Sequence, residues 1–279
     1  MRARGAAFAL ALWGLVVPLT ACRADSPPGV AAPVPSAAPE ALPAPERLTV
    51  RVVARYPHDR EAFTQGLLWH DGKLYESTGL YARSTIRRVD LATGRVEQQA
   101  PLPLTVFGEG LALVGDELVQ LTWREGRALR WTRSSLALLG ESSYEGEGWG
   151  LTFDGEHLIQ SDGSARLTFR DPKTFAVTAT RDVADRGQPA ALLNELELVD
   201  GALYANLWTT DEIVRIDPAT GRVTARIDAS PLREELMGQG IADDAVLNGI
   251  AWRPETKTFL LTGKLWPKLF EVQLVPTGG

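Results

Sequence analysis

The sequence predicts an all-β protein, folded as a five-bladed β-propeller, and two observations carry this prediction. First, a strand, turn, strand pattern occurs five times, starting at positions 65, 109, 149, 194 and 248, at intervals of 44, 40, 45 and 54 residues. Second, the hairpin that follows in the first repeat, at 87–96, is nearly copied at 214–223. Periods of about 40–50 residues with four short strands each are typical of propeller blades.

The segment before the propeller has the features of an export signal. Residues 1–21 start with Arg2 and Arg4, and the apolar run at 6–17 is too short to span a bilayer as a helix. The segment ends in Leu-Thr-Ala before Cys22, the only cysteine of the chain, which resembles a bacterial lipobox. We therefore expect lipidation at Cys22. The alternative is an ordinary cleaved signal followed by a chance cysteine.

Residues 22–47 are predicted to be a linker. Seven prolines and seven alanines among 26 positions cannot bury enough apolar surface to fold, so the segment reads as an extended tether. The formal net charge of −6 argues against nucleic acid as a partner. We expect an exported, monomeric protein of the bacterial envelope, periplasmic or associated with the outer membrane, that contacts the membrane through its lipid anchor only.

The propeller domain is predicted to span 48–279. Residues 48–56 are rich in β-branched side chains and are typical of a strand. The last repeat runs out of chain after three strands, near Leu274, so we expect the strand at 48–56 to complete that blade. Such a closure removes open sheet edges, which are templates for aggregation. An insertion at 231–246 is a candidate helix around 232–237.

Blade topology predicts that residues from distant repeats meet, because first-strand starts and second-strand ends share one mouth of the central channel. The starts supply Phe63, Gln65, Phe107, Glu109, Trp149, Asn194 and Asn248, and the ends supply Glu76, Trp123, Asp162, Trp208 and Lys264. This set suits a small polar ligand held against aromatic walls. The alternative is that the aromatic side chains merely fill the channel. We expect Glu109, which lies between two glycines, to carry proton chemistry.

Other chemistries fit the sequence poorly. The three histidines, His58, His70 and His157, lack the spacing of metal ligands, so no metal site is expected. No Gly-x-Ser-x-Gly elbow is present for a hydrolase nucleophile. The glycines around Glu109 and Trp149 complete neither a dinucleotide-binding nor a phosphate-loop pattern.

Nine short motifs resemble the plant and bacterial glutaminyl-peptide cyclotransferases, in order over roughly residues 48–274. They are 63–67 (FTQGL), 75–81 (YESTGLY), 107–111 (FGEGL), 148–151 (GWGL), 161–163 (SDG), 193–197 (LNELE), 206–208 (NLW), 246–252 (VLNGIAW) and 262–270 (TGKLWPKLF). The last motif is the most specific. One departure is Ala82, where the family has glycine between tyrosine and arginine.

The resemblance implies a five-bladed propeller, unrelated to the zinc-dependent animal enzyme, that cyclises N-terminal glutamine of peptides or proteins to pyroglutamate and releases ammonia. It implies that Glu109 is the proton shuttle, with Lys264 and Asn194 as further catalytic residues. It assigns substrate binding to Gln65, Phe63, Phe107, Trp123, Trp149 and Trp208. The resemblance requires no cofactor, although a channel calcium, which plant members can carry, is left open.

Three alternatives stay open at this point. One alternative is a non-catalytic, surface-tethered propeller that binds peptides or envelope partners. A second alternative is another propeller enzyme, such as a lactonase. The lack of clustered metal ligands speaks against a lactonase. The alternative for Glu109 and Lys264 themselves is a purely structural ion pair.

Overall fold

The computed structural model describes residue 14, residues 43–242 and residues 244–278. The predicted lipidation site Cys22, the predicted signal apart from residue 14, and the linker up to residue 42 lie outside these residues, so they stay predictions. The chain divides into two units, and the architecture described belongs to the second, Ala41–Gly279. None of the described helical residues forms a segment with the length and apolar character of a membrane span.

Twelve of the described strands form three separate four-stranded antiparallel sheets, each in chain order. The first contains β2 (Thr64–His70), β3 (Lys73–Thr78), β4 (Thr85–Val89) and β5 (Val96–Pro101). The second contains β6 (Gly108–Val114), β7 (Glu117–Thr122), β8 (Arg127–Thr132) and β9 (Leu138–Ser143). The third contains β10 (Leu151–Phe153), β11 (Leu158–Gln160), β12 (Arg166–Arg170) and β13 (Val177–Asp182).

The other ten described strands belong to one larger sheet. They are β1 (Glu46–Pro57), β14 (Ala184–Asp185), β15 (Gln188–Pro189), β16 (Leu193–Val199), β17 (Ala202–Leu207), β18 (Glu212–Asp217), β19 (Arg222–Asp228), β20 (Leu247–Arg253), β21 (Thr258–Gly263) and β22 (Lys268–Pro276). Their order is β16-β17-β18-β19-β1-β22-β21-β20, and the short hairpin β14-β15 joins at β19. Within the part of the chain that the structure describes, the regular structure is therefore all-β apart from one short helix.

Strand β1 joins two four-strand groups within the larger sheet. Its first residues, from Glu46 to Thr49, pair in parallel with β19. From Leu48 onward it pairs antiparallel with β22, as far as Pro57 opposite Lys268. The strand predicted at 48–56 thus begins two residues earlier, and it connects the start of the domain to the last strand of the chain.

The helix lies in the long connection before β20. α1 (Ser230–Leu236) has proline in its first turn. Backbone N–H groups of the first turn have no partner within the helix, so the N–H that proline lacks is not needed there. Leu232 and Leu236 are four residues apart, so they lie on one face, and both are buried. The predicted helix at 232–237 therefore starts two residues later and ends one residue later than α1.

The hydrophobic core lies between neighbouring sheets. Adjacent residues of a strand point to opposite faces, and β7 shows the consequence. Leu118 belongs to a cluster with Tyr75 of the preceding sheet, whereas Val119 belongs to a cluster with Leu151 and Leu158 of the following sheet. Each four-stranded sheet is thereby covered on both faces, which explains the continuous buried runs in its inner strands.

The first strands of the successive groups contact one another in a closed ring. β2 contacts β6, β6 contacts β10, β10 contacts β16, β16 contacts β20, and β20 contacts β2. Glycine is needed where these strands approach closely. An added Cβ on Gly66 would lie 2.6 Å from the backbone nitrogen of Leu111, and one on Gly110 would lie 2.5 Å from that of Leu151.

The fourth inner strand carries Glu195 at the position where the other repeats have glycine. Its carboxyl oxygens accept hydrogen bonds from the backbone N–H of Leu67 at 3.1 Å and of Ile250 at 2.8 Å. Because these donors belong to β2 and β20, one buried side chain connects three inner strands. The ring thus combines close backbone packing with hydrogen bonds that the Glu195 carboxyl group accepts from two neighbouring inner strands.

Candidate active site

One cavity of about 260 Å³ opens at the ends of the inner strands. Its lining consists of residues that come from inner-strand starts and from the ends of second strands: Phe63, Gln65, Phe107, Glu109, Trp123, Trp149, Asn194, Trp208 and Lys264. These are the nine side chains to which the family resemblance assigns catalysis or substrate binding. The strand order therefore brings together residues that are up to about 200 positions apart in the sequence.

Three further residues predicted for this mouth lie elsewhere. Glu76 is buried behind the cavity, where it accepts a hydrogen bond from Thr64 Oγ1 at 2.7 Å and contacts His58 Nε2 at 3.0 Å. Its position two residues before the end of β3 explains why it does not reach the mouth. Asp162 is exposed and lines a separate surface groove. Asn248 is buried beside the cavity, where it contacts Gln65.

The carboxyl group of Glu109 is enclosed by protein on nearly all sides. Its residue is 4% exposed, and Oε1 accepts a hydrogen bond of 3.0 Å from Gln65 Nε2. Burial raises the pKa of Glu109 well above its ordinary value, the charge of Lys264 lowers it, and the charges of Glu147 and Glu125 raise it. A carboxyl whose pKa is shifted upward, towards neutrality, is suited to take and return a proton.

Lys264 presents a second ionisable group to the same cavity. The residue is 6% exposed, and its Nζ lies 4.8 Å from the centre of the Phe63 ring, a cation–π contact. Burial lowers the pKa of the ammonium, whereas the charge of Glu109 raises it. Among the described residues, no carboxylate oxygen lies within 4.0 Å of this Nζ. The contact ion pair considered for Glu109 and Lys264 is therefore not formed.

The amide of Gln65 is held in one orientation by Asn248. Asn248 Nδ2 donates to Gln65 Oε1 at 3.2 Å and to the backbone oxygen of Thr64 at 3.0 Å. Because the Gln65 oxygen is engaged in this way, its NH₂ group faces Glu109. The sequence pattern placed Asn248 at the mouth, but it gave no sign that this residue acts through another side chain.

Asn194 offers the cavity an acceptor that has no partner. The residue is 2% exposed, and its buried Oδ1 makes no hydrogen bond within the protein. An unpaired buried amide oxygen is costly, because it has lost its water without gaining a donor. A ligand that brings an N–H group to this oxygen would remove that cost, so Asn194 is suited to bind an amine or an amide.

The aromatic walls consist of two groups of rings in mutual contact. Phe107 lies between Phe63, at 6.1 Å and perpendicular, and Trp123, at 5.5 Å and tilted. Trp149 packs edge-on against Trp208 at 5.3 Å. Trp208 is 38% exposed and lies at the opening. These walls exclude water from the polar groups, which strengthens the electrostatic interactions inside.

Two acidic residues beside the cavity were not identified from the sequence. Glu147 accepts indole N–H bonds from Trp123 and Trp149. Glu125 accepts the hydroxyl of Tyr81 at 2.9 Å. Each acid lies two residues from a mouth tryptophan, and this spacing is the only signal in the sequence that pointed to them.

The described residues do not offer a cluster of acidic, histidine or cysteine side chains for a channel calcium ion. They contain no group of three or more histidine, cysteine, aspartate or glutamate side chains that could hold a metal ion. The buried His58 is already engaged, with Nδ1 at 2.7 Å from the Trp266 carbonyl and Nε2 at Glu76.

Comparisons with known proteins agree with the motifs. A family model described as glutamine cyclotransferase matches residues 29–274. The glutaminyl-peptide cyclotransferase of Arabidopsis thaliana is 41% identical over 227 residues, which cover 81% of this chain and 71% of the relative. The crystal structure of Myxococcus xanthus glutaminyl cyclase is 43% identical, with a TM-score of 0.80, and the match covers 84% of this chain and 99% of that chain. The predicted resemblance is thereby confirmed, and the chain belongs to the glutamine cyclotransferase family.

Proposed function

We propose that this protein converts the N-terminal glutamine of peptides or proteins into pyroglutamate, with release of ammonia, in the cavity around Glu109. The observation that carries the proposal is the joint burial of Glu109 and Lys264 in one aromatic cavity without a direct ion pair between them. Both groups are therefore available to a substrate. The family membership and the two named relatives support the same reaction.

In the proposed reaction, the α-amine nitrogen attacks the carbon of the substrate's own side-chain amide. A new C–N bond closes the ring, and the bond to the amide nitrogen breaks. The carboxylate of Glu109 takes one proton from the attacking amine and delivers it to the departing nitrogen, so that ammonia leaves and no net proton is consumed. A free α-amine has a pKa of about 8, so its neutral form is accessible near neutral pH.

The other polar side chains suit binding and charge stabilisation. Lys264 can stabilise the oxyanion of the tetrahedral intermediate, and one such donor contributes about 3 kcal/mol. The Oδ1 of Asn194 can accept an N–H of the substrate, and the walls around Trp123, Trp149 and Trp208 can enclose its apolar part. Because the attack is intramolecular, much of the work is to select the folded-back conformer.

The proposal includes the five-bladed propeller that the sequence predicts. The closed ring of β2, β6, β10, β16 and β20 supports it, with each strand as the innermost strand of one blade. The three separate sheets would be three blades, and the larger sheet would supply two. In the last blade, β1 would be the outermost strand, next to β22.

The test is an assay of ammonia release and pyroglutamate formation from Gln-Gln and Gln-Ala, with and without a chelator. We expect turnover in both conditions. The variant Glu109→Gln should lose at least about 10²-fold in kcat, the typical contribution of general acid–base catalysis, while its circular dichroism spectrum is retained. Full activity in that variant would remove the proton shuttle from Glu109. Peptide binding without ammonia release would favour the non-catalytic alternative.

We further propose that the mature protein is a monomer tethered to the bacterial envelope through a lipid on Cys22, with the residues between Cys22 and the start of β1 as the extended linker. The lipobox-like sequence and the proline-rich composition support this. Palmitate labelling of the full chain tests the anchor. We expect labelling of the wild type and none in Cys22→Ser, and persistent labelling of the variant would exclude lipidation at this residue.

A further inference from the structure

Glu147 connects two walls of the cavity without lining it. It lies between β9 and β10, and its Oε2 accepts the indole N–H of Trp123 at 2.8 Å and that of Trp149 at 3.0 Å. Trp123 follows β7 and Trp149 precedes β10, so the two indoles are attached to different sheets. One carboxylate oxygen therefore fixes the distance between the two indole rings.

The second oxygen of Glu147 holds the outer side of the same wall. Oε1 accepts a hydrogen bond from Arg124 Nε at 2.9 Å. The guanidinium of Arg124 lies 3.7 Å over the Trp123 ring, whose other neighbour is Phe107. The Trp123 ring is thus held at its indole N–H and is contacted by both Arg124 and Phe107, which leaves it little freedom to rotate.

The backbone around Glu147 is itself anchored. The Glu147 carbonyl accepts a hydrogen bond of 3.0 Å from Gln160 Nε2, and Gln160 is held in turn by Arg170 Nε at 2.6 Å. The next residue, Gly148, donates its N–H to the carbonyl of Trp123 at 2.9 Å. These contacts fix the origin of the side chain, so the carboxylate can impose an orientation on the indoles.

We propose that Glu147 is a positioning residue for this active site, which holds the Trp123 and Trp149 walls in place and maintains a negative charge beside Glu109. This inference rests on the proposed function, because it assigns Glu147 a role in the same reaction. Glu147 acts through the tryptophans and through Glu109, and it does not itself touch the cavity.

The charge of Glu147 matters because few other charges face Glu109. The ionisable groups near it are Lys264 from the end of β21, Glu147 and Glu125 from the two loops, and the hydroxyls of Tyr81 and Tyr144. Partial burial favours the neutral form of Glu147. The hydrogen bonds from both indoles and Arg124 outweigh burial, so its pKa lies below the ordinary value and the group is ionised at neutral pH.

Two substitutions separate the two roles. Glu147→Gln removes the charge and weakens the hold on both indoles, so kcat/KM should fall roughly tenfold to a hundredfold. The acidic limb of the profile of kcat/KM against pH should also move to lower pH. A negative neighbour raises the pKa of a carboxyl group, and Glu109 loses such a neighbour in this variant. Glu147→Asp keeps the charge but shortens the reach, so KM should rise while the acidic limb stays in place.

A matched control is Glu255→Gln. Glu255 also accepts an indole N–H, from Trp69 Nε1 at 3.2 Å, but Trp69 lies near the opposite end of β2 from the cavity. This variant should retain wild-type kcat/KM and the wild-type pH profile. It shows what the loss of a carboxylate–indole bond costs when the bond only packs the fold.

The indole ¹H–¹⁵N resonances provide a readout that does not need turnover. Both Glu147 variants should shift the resonances of Trp123 and Trp149, whereas Glu255→Gln should shift that of Trp69. Unchanged Trp123 and Trp149 resonances would overturn the inference, and so would wild-type kinetics with an unchanged acidic limb in Glu147→Gln. If the wild type shows no turnover at all, the proposed function fails, and the resonances still decide whether Glu147 holds the walls.

Discussion

Gln65 Nε2 donates a hydrogen bond of 3.0 Å to Oε1 of Glu109, although 44 residues separate the two side chains. The two residues occupy equivalent positions in successive repeats, so the bond crosses from one inner strand to the next. Since Asn248 engages the other end of the Gln65 amide at 3.2 Å, the three residues form a chain across the inner ring. The proposed proton shuttle is therefore oriented by residues of two other repeats.

We predict that Asn248→Ala lowers kcat/KM about tenfold, the effect of losing one buried hydrogen bond near a charged group. Without Asn248, the Gln65 amide can rotate and turn its oxygen towards Glu109, which disfavours the carboxylate form. The measurement is steady-state ammonia release across pH, together with thermal unfolding.

The control for Asn248→Ala is Asn206→Ala, because Asn206 is equally buried and accepts the N–H of Gly249 at 3.1 Å. Both variants should unfold at lower temperature, but only Asn248→Ala should lose activity. An equal loss of activity in both variants would show that general loosening of the inner strands, and not the orientation of Gln65, is responsible.

The candidate site could be predicted from the sequence to the extent that it follows from strand order. Glu109 and Lys264 were placed at one mouth because the starts of first strands and the ends of second strands share it. The position of the Glu76 side chain could not be predicted in this way, because His58, Thr64 and Arg87 hold it in a buried cluster.

The contacts of side chains that act through other groups also escaped prediction, although Asn248 itself was among the residues predicted for the mouth. Glu147 and Asn248 make their hydrogen bonds to residues of other strands, and no local pattern reports such contacts. The crosslink from Glu195 to β2 and β20 is a further example, because its partners are backbone groups. Periodicity indicates where a strand runs, but not which distant donor its side chain meets.

We predict that Lys264→Met lowers kcat about 10²-fold, because one oxyanion donor contributes about 3 kcal/mol. The acidic limb of the pH profile should move to higher pH, since the charge of Lys264 lowers the pKa of Glu109. This direction is opposite to the one expected for Glu147→Gln. Stability should not fall, because methionine fills a similar volume without a buried charge. An unchanged acidic limb would contradict the placement of this charge beside Glu109.

We predict that the stability of the domain falls as the pH rises above about 4.5, partly because of Glu195. Burial, with the charge of Glu197, raises the pKa of Glu195 well above its ordinary value in the folded state. The folded protein therefore binds a proton that the unfolded chain has released. The resulting stabilisation is complete below the unfolded pKa and is lost as the pH rises through the folded pKa.

Within that window, one such group changes the free energy of unfolding by about 1.4 kcal/mol per pH unit. Glu195→Gln removes the ionisable group. The free energy of unfolding, measured by urea denaturation at several pH values, should therefore change less with pH than in the wild type. If the free energy of unfolding of Glu195→Gln depends on pH as it does in the wild type, Glu195 is ionised in the folded protein.

We predict that Gly110→Ala destabilises the fold by about 1–3 kcal/mol, the usual cost of overpacking. The added Cβ would lie 2.5 Å from the Leu151 nitrogen and 2.6 Å from the Trp149 oxygen, and both are backbone atoms that no rotamer change can move. β6 and β10 must therefore separate, and this displaces Glu109 and Trp149 from each other. The midpoint of urea denaturation should fall at an unchanged m-value, and activity should fall with it.

Gly140→Ala is the matched control, because no atom lies within 4 Å of its added Cβ and its backbone is not in the left-handed region. This variant should be neutral or slightly stabilising, since alanine restricts the unfolded chain more than glycine does. If Gly110→Ala is as stable as Gly140→Ala, the inner strands tolerate a wider spacing than the one they have in the structure. If only Gly110→Ala is damaged, the glycine beside the proposed proton shuttle sets how closely two repeats approach, and hence the width of the cavity between them.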